Sequence, residues 1–344
     1  TFSIHDTVQL VEQAKAKENG HLAKFRQALK ARIGQRTVPV IGITGTGGAG
    51  KSSLTDELIL RLLHDLKDIR IAIISADPSR RKTGGALLGD RIRMNAIDNP
   101  RVYMRSLATR KSHVEVPEFL PDAIDVAKAA GYDMIIVETA GIGQGDSRVV
   151  DLVDLSVYVM TAEYGAPSQL EKIDMLDYAD IVVVNKYEKK GSEDALRDVR
   201  KQVQRNRKAW DKDTNDMPVY GTIASKFNDD GVTGFYHGLL DLIAEKKGVK
   251  YESSIPRTGV KESSSKTIII PGDRVRYLAE IADTVRQYHK ETKAQADAVR
   301  QRWHLEETIK ALEQRSISDL DQLKAAVADT DRQVTGETNE LVAD

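Results

Sequence analysis

The stretch Gly45-Thr46-Gly47-Gly48-Ala49-Gly50-Lys51-Ser52 constrains this chain more than any other, because it joins two segments of different periodicity. Val38 to Thr44 (VPVIGIT) is a short β-branched run, whereas Ser53 to Leu66 carries Leu54, Leu58, Leu62 and Leu66 at helical spacing. A Gly-rich strand-to-helix turn that ends in Lys-Ser is a cradle for phosphates. Its glycines let successive N–H groups curl around a phosphate chain, and the opening helix adds its positive end. In that geometry Lys51 neutralises the β- and γ-phosphates and Ser52 offers its hydroxyl to Mg²⁺. Gly45, Gly47, Gly48, Ala49, Gly50 and Ser53 complete the expected nucleotide-binding set. A glycine turn that ends in Lys-Ser by accident would not also bring both flanking elements with it.

From Val38 to about Lys247 the pattern alternates β and α. Strands are expected at Val38–Thr44, Arg70–Ala76, Met134–Thr139, Leu155–Thr161, Ile181–Asn185 and Val219–Ile223. Helices are expected at Pro117–Ala130, Ser168–Tyr178, Ser192–Trp210 and Thr233–Lys247. Several strands are continuously apolar, which fits burial on both faces of a mainly parallel, doubly wound α/β sheet. Ligands in such sheets bind outside the carboxyl ends of the strands. Residues 1–36 read as two short helices broken near Asn19-Gly20. Residues 249–272, rich in Ser and Lys, read as a linker or arm with one short strand at Thr267–Ile270. From Asp273 to about Glu313 runs a long helix whose narrow apolar stripe includes Leu278, Ile281, Val285, Tyr288, Val299 and Trp303. Such a stripe needs a partner, either the return segment Ser318–Ala328 or a second subunit, and the tail after Thr330 is expected to fray. The expected division is 1–36, 37–248, 249–272 and 273–344.

A net charge of −1 gives no global case for nucleic acid or membrane binding. Cysteine is absent, which removes disulfides and thiolate metal sites, and no apolar run approaches the roughly 18 residues of a membrane span. The expectation is a soluble cytoplasmic protein without a leader. The seven histidines (His5, His21, His64, His113, His237, His289, His304) lack the paired spacing of a metal site.

Residues after the other strands carry the remaining chemistry. Asp77, in Ser75-Ala76-Asp77-Pro78, precedes a basic, Gly-rich loop that ends at Gly89-Asp90; two acids bracketing a loop beside a phosphate cradle suit Mg²⁺ and water handling. Glu138-Thr139-Ala140-Gly141 has the acid-x-x-Gly form in which the acid contacts Mg²⁺, usually through water, and the glycine N–H detects the γ-phosphate. Most such motifs carry Asp where this chain has Glu138. Gln144, in the glycine-bearing loop that follows, is placed to orient a water. Thr161 to Pro167 is either an ordinary strand-to-helix loop or a relay at the nucleotide rim. Asn185-Lys186-Tyr187-Glu188 resembles the guanine-reading motif Asn-Lys-x-Asp, in which the acid accepts from guanine N1–H and N2–H₂. Ala224-Ser225-Lys226 matches the loop whose backbone supports the guanine carbonyl.

Taken together, residues 44–53, 76–79 with 83–94, and 138–146 resemble the G-protein metallochaperones of adenosylcobalamin-dependent acyl-CoA mutases, and residues 1 to about 290 are similar to the G domain of the fused isobutyryl-CoA mutase. The resemblance implies a P-loop NTPase of the SIMIBI type with helical extensions at both ends. It implies a GTPase that assembles on its mutase, gates cofactor transfer from an adenosyltransferase and helps eject damaged cofactor. GTP/GDP and Mg²⁺ are the implied ligands, with adenosylcobalamin reached only through the mutase. Lys51 and Ser52 would hold phosphate and Mg²⁺. Asp77, Asp90 and Glu138 would form the acidic metal and water shell, and Asn185, Lys186 and Glu188 would read guanine. Residues Asp90 to His113, Gly141 to Val150 and Thr161 to Lys172 resemble three switch segments, and the long C-terminal helix a homodimerisation or docking arm. No mutase barrel is expected within 344 residues. The rival readings are a P-loop small-molecule kinase, which passes phosphate to a substrate, and a metal-insertion GTPase.

Overall fold

The computed structural model describes residues 21–78, 94–109, 119–139, 149–264, 277–315 and 320–343. The chain divides into two compact units, Thr1–Ile269 and Ile270–Asp344.

In the first unit, strands β1 (Val40–Gly45), β2 (Ile71–Pro78), β3 (Val102–Thr109), β4 (Met134–Thr139), β5 (Leu155–Met160), β6 (Ile181–Asn185) and β7 (Val219–Thr222) form one sheet. Its order is β3-β2-β4-β1-β5-β6-β7, and every pairing is parallel. Parallel neighbours need crossovers. The described helices are α1 (His21–Ile33), α2 (Lys51–Asp65), α3 (Leu120–Ala129), α4 (Pro167–Leu170), α5 (Met175–Tyr178), α6 (Ser192–Asn206) and α7 (Asp230–Lys247). On one face, Leu54, Leu58 and Leu62 of α2 and Phe235, Leu239 and Ile243 of α7 cover Ile41, Ile43, Ile73 and Ile136. The strand neighbours of those residues point the other way, where α3 covers Ile74, Ile135 and Val137 and α6 covers Tyr158, Val182 and Val184. This is the doubly wound parallel sheet the apolar runs require. It puts β1 at its centre, between β4 and β5, where the chain can depart to either side.

The expected strands appear within two residues of their bounds, but β3 was not expected. It lies in the segment Asp90 to His113 that resembled a switch loop, of which residues 94–109 are a short turn and this strand. An edge strand carrying Arg105 and Ser106 lacks the continuous apolar signature of its neighbours. The helix expected over Ser168–Tyr178 is instead two short pieces, α4 and α5. Ile173 and Met175 are both buried, and residues two apart cannot share one helical face. The helix expected to reach Trp210 stops at Asn206, ahead of the left-handed Lys208 (φ 53°). Of the N-terminal helices only α1 falls among the described residues; Arg26 ties it to α3 by two bonds to Asp122 of 2.6 and 2.8 Å.

In the second unit, α8 (Tyr277–Glu313) is followed by α9 (Asp321–Asp331) and α10 (Gly336–Ala343). The fraying expected after Thr330 is replaced by a turn and α10. Gln295 of α8 clasps that turn, donating to the carbonyl of Gln333 at 2.9 Å and accepting from the Thr335 N–H at 2.8 Å. Within this unit α8 leaves Tyr288 66% and Trp303 55% exposed. Asp273 and the short strand expected at Thr267–Ile270 lie outside the described residues. Among the described residues no helix is long and apolar enough to cross a membrane.

Candidate functional site

The site forms at the carboxyl ends of β1, β4, β6 and β7. At the end of β1, Gly45 (φ 143°) passes so close to β5 that a Cβ would lie 1.8 Å from the Val159 carbonyl oxygen. The chain then turns into α2 through Gly50 (φ 85°), whose missing Cβ leaves room for the Asn185 amide. The side-chain ammonium of Lys51, 9% exposed, turns back and donates to the carbonyls of Gly45 (3.3 Å) and Thr46 (3.2 Å). The first turn of α2 presents Ser52, whose hydroxyl donates to Glu138 Oε1 across 2.6 Å. Glu138 is 2% exposed at the end of β4, beside the Thr139 hydroxyl that donates to Thr44 Oγ1 at 2.9 Å. A serine hydroxyl and a carboxylate at the head of a helix form a hard-oxygen donor set, which suits Mg²⁺.

The ends of β6 and β7 are cross-linked more heavily. Asn185, 2% exposed at the end of β6, donates to the Ala49 carbonyl at 2.7 Å. Its carbonyl oxygen accepts from Thr222 Oγ1 (3.0 Å) and from the Ala224 N–H (3.1 Å). One side chain thus spans the phosphate loop and the Ala224-Ser225-Lys226 loop. Lys186 follows with φ 58°, a conformation uncommon for a residue with a side chain, which places the motif in a fixed turn. Glu188 Oε2 is buried without a hydrogen-bond partner. Such an oxygen costs free energy until a donor reaches it, so the geometry fits a ligand edge carrying N–H groups.

Asp229, fully buried, was not foreseen as part of this arrangement. It accepts from the N–H groups of Ile223 (3.1 Å) and Val232 (3.0 Å), closing the 223–226 loop and capping α7. The signal was present, since Asp before a helix is a standard cap. Lys226 Nζ lies 3.7 Å from Asp229 Oδ1, while Ser225 stays exposed.

The segment Thr161 to Lys172 contains a short turn, Ala162–Tyr164, from which Glu163 reaches Lys189 at 2.9 Å. Their mutual hydrogen bond lowers the carboxyl's pKa and raises the ammonium's, but both groups are exposed and the contact is weak. Of the remaining expected residues, Asp77 is the penultimate residue of β2, its backbone in register with Ala108. Asp90, Gly141 and Gln144 lie outside the described residues.

The profile of the family described as "Methylmalonyl Co-A mutase-associated GTPase MeaB" matches residues 4–327. The fused isobutyryl-CoA mutase of Geobacillus kaustophilus is 49% identical over 340 residues, covering 98% of this chain and 31% of that protein. The fused isobutyryl-CoA mutase of Cupriavidus metallidurans is 55% identical over 302 residues, covering 87% of this chain and 28% of that one. The namesake from Nocardia farcinica is 56% identical over 285 residues, covering 83% and 26%. The chain therefore spans less than a third of the length of these curated relatives.

Proposed function

This chain belongs to the MeaB family of methylmalonyl-CoA mutase-associated GTPases, and on that premise we propose that it binds GTP and hydrolyses it to GDP and phosphate. Its partner in this reading is an adenosylcobalamin-dependent acyl-CoA mutase, whose cofactor loading and removal it gates, together with an adenosyltransferase. The relatives named as fused mutases support the association, because there a homologous segment shares one chain with mutase sequence.

The observation that carries the reading is the continuity of the site. Asn185 links Ala49 of the phosphate loop to Ala224 of the loop after β7, and Glu188, three residues further along the chain, keeps a buried carboxylate oxygen without a hydrogen-bond partner. Guanine N1–H and N2–H₂ supply two donors to a carboxylate, whereas adenine presents an acceptor at N1. At the other end, Lys51 would exchange the carbonyls of Gly45 and Thr46 for phosphate oxygens, an ion pair in place of a bond to a neutral acceptor. Backbone N–H groups at the start of α2 add the helix end. Ser52 and Glu138, with Asp77 and Asp90, would hold Mg²⁺, which would supply charge neutralisation at the phosphates. Gln144 and Asp90 orient the attacking water, so catalysis is positioning and electrostatics without a covalent intermediate.

The exposed stripe of α8, with Tyr288 and Trp303, supports a homodimer built on the second unit. Sedimentation of the full chain against a Trp303→Glu variant tests this: the variant is expected to sediment as a smaller species. The activity itself is tested by incubating the chain with GTP, Mg²⁺ and a candidate mutase. Free phosphate released faster with mutase present is the expected result; phosphate carried to a small acceptor without mutase points to the kinase reading.

A further inference from the structure

After α7 the chain does not leave the first unit at once. Residues 248–264 run back along it as an arm with three anchor points. Asp65 accepts from the Ser254 N–H (2.6 Å) and hydroxyl (2.7 Å), and Arg257 holds Asp241 by two bonds of 2.7 Å. The third anchor is the most elaborate. The Gly221 N–H of β7 donates to the Lys261 carbonyl (2.8 Å), the Ser263 N–H returns to the Gly221 carbonyl (3.0 Å), and Glu262 bridges in parallel to Gly221. Beside this bridge Glu262 takes Arg200 of α6 at 2.6 Å, and Lys261 Nζ donates to the carbonyls of Asn215, Asp216 and Met217 at 2.8, 2.8 and 3.1 Å.

Two helical glycines make room for it. A Cβ on Gly231 would lie 2.2 Å from the Gly221 carbonyl oxygen and 2.7 Å from Ser263 Oγ, and one on Gly234 would lie 2.3 Å from the Val260 carbonyl oxygen. Neither glycine has a left-handed backbone that would otherwise call for it. At the centre, the Ser263 hydroxyl, 5% exposed, donates to Asp229 Oδ2 at 2.8 Å. That same oxygen holds the N–H groups of Ile223 and Val232, and Ile223 leads directly into the base loop.

We propose that Ser263 is a positioning residue for base recognition: by pinning Asp229 from the arm, its hydroxyl holds the 223–226 loop in the geometry that receives the nucleobase. A 223–226 loop pinned by the seated arm lets the nucleotide go more slowly than a loosened one. The inference rests on the guanine-nucleotide reading of the site. It differs from that reading in predicting an effect of a residue that touches no nucleotide and lies outside the sequence motifs.

The test uses the full chain. Ser263→Ala removes one hydrogen bond to a carboxylate, so a fluorescent GDP is expected to dissociate about tenfold faster. KM for GTP rises with it, and kcat stays within about twofold, because the phosphate end is untouched. Ser263→Thr keeps the donor and is expected to restore slow release. An unchanged release rate in Ser263→Ala overturns the proposal. So does a threonine variant that behaves like alanine, or a fall in kcat that tracks a lower melting temperature, since both mark a merely structural bond. A native chain that binds no guanine nucleotide defeats instead the reading of the site on which the proposal rests.

Discussion

At the end proposed to hold phosphate, Lys51 and Ser52 meet partners that a ligand can replace, among them two loop carbonyls and one carboxylate oxygen. At the base end, Asn185 and Asp229 meet partners that no ligand replaces, namely the N–H groups of residues 223, 224 and 232, the Ala49 carbonyl and two buried hydroxyls. The difference assigns the ends different work. In the proposed reading, groups that exchange partners are the ones that respond to whether a γ-phosphate is present. Groups bonded to the fold's own backbone hold the 223–226 loop in place without a ligand, and in the proposed reading that lowers the ordering cost of binding the base.

The sharpest way to break this comparison is at the exchanging end. Lys51→Ala is expected to weaken GTP binding by more than about 100-fold, since it removes the charge that exchanges carbonyls for phosphate; calorimetric titration reads it, and retained affinity would place the phosphates elsewhere. Next in size, Glu188→Ala should shrink the preference for GTP over ATP by roughly 100-fold through two lost hydrogen bonds, with ATP binding little altered. Competition between the two nucleotides measures this directly. Asn185→Ala tests the saturated end. It strands the Ala224 N–H and the Thr222 hydroxyl, so denaturant unfolding without nucleotide should show a loss of about 2–3 kcal/mol. A loss seen only in nucleotide affinity would make Asn185 a ligand contact and not a strut.

The smallest effect on nucleotide belongs to the first anchor of the arm. Burial alone would raise the Asp65 carboxyl, but hydrogen bonds from Ser253, Tyr236 and Ser254 outweigh it and hold the pKa at about 2. A carboxyl depressed in the folded state adds stability that is complete above its unfolded value near 3.9 and is lost as pH falls through about 2. Asp65→Asn should therefore cost about 2 kcal/mol at pH 7, with the gap to the native chain closing between about pH 4 and pH 2 and GDP release unchanged. Acid titration of unfolding checks the first part. Faster release would show that the arm acts along its whole length.

The legible part of this molecule was the part with a local signature. Met134–Thr139 and Ile181–Asn185 coincide with β4 and β6 because a strand buried on both faces must be apolar throughout. The phosphate loop was readable because its glycines, Lys51 and Ser52 adjoin in sequence. β3 escaped because, at the sheet's edge, it tolerates Arg105 and Ser106, and the break between α4 and α5 followed from which side chains the core demanded. At the site, sequence pointed to Asn185 as a reader of the base. The structure adds its bonds to residues 49, 222 and 224, which no spacing rule predicts. Ser263 left no trace at all, since a serine in a Ser-rich arm becomes a partner of Asp229 only when the arm folds back 34 residues onto it.

That return has a further consequence at the margin of the sheet. β7 is the last strand of its row, and a terminal strand offers unpaired N–H and C=O groups to any other chain that can align with it. The bridge from Glu262 to Gly221 occupies part of that row from within the same molecule, with Lys261 and Glu262 as charged neighbours. Lifting the arm would therefore uncover backbone groups of Gly221 that residues 261–263 now occupy.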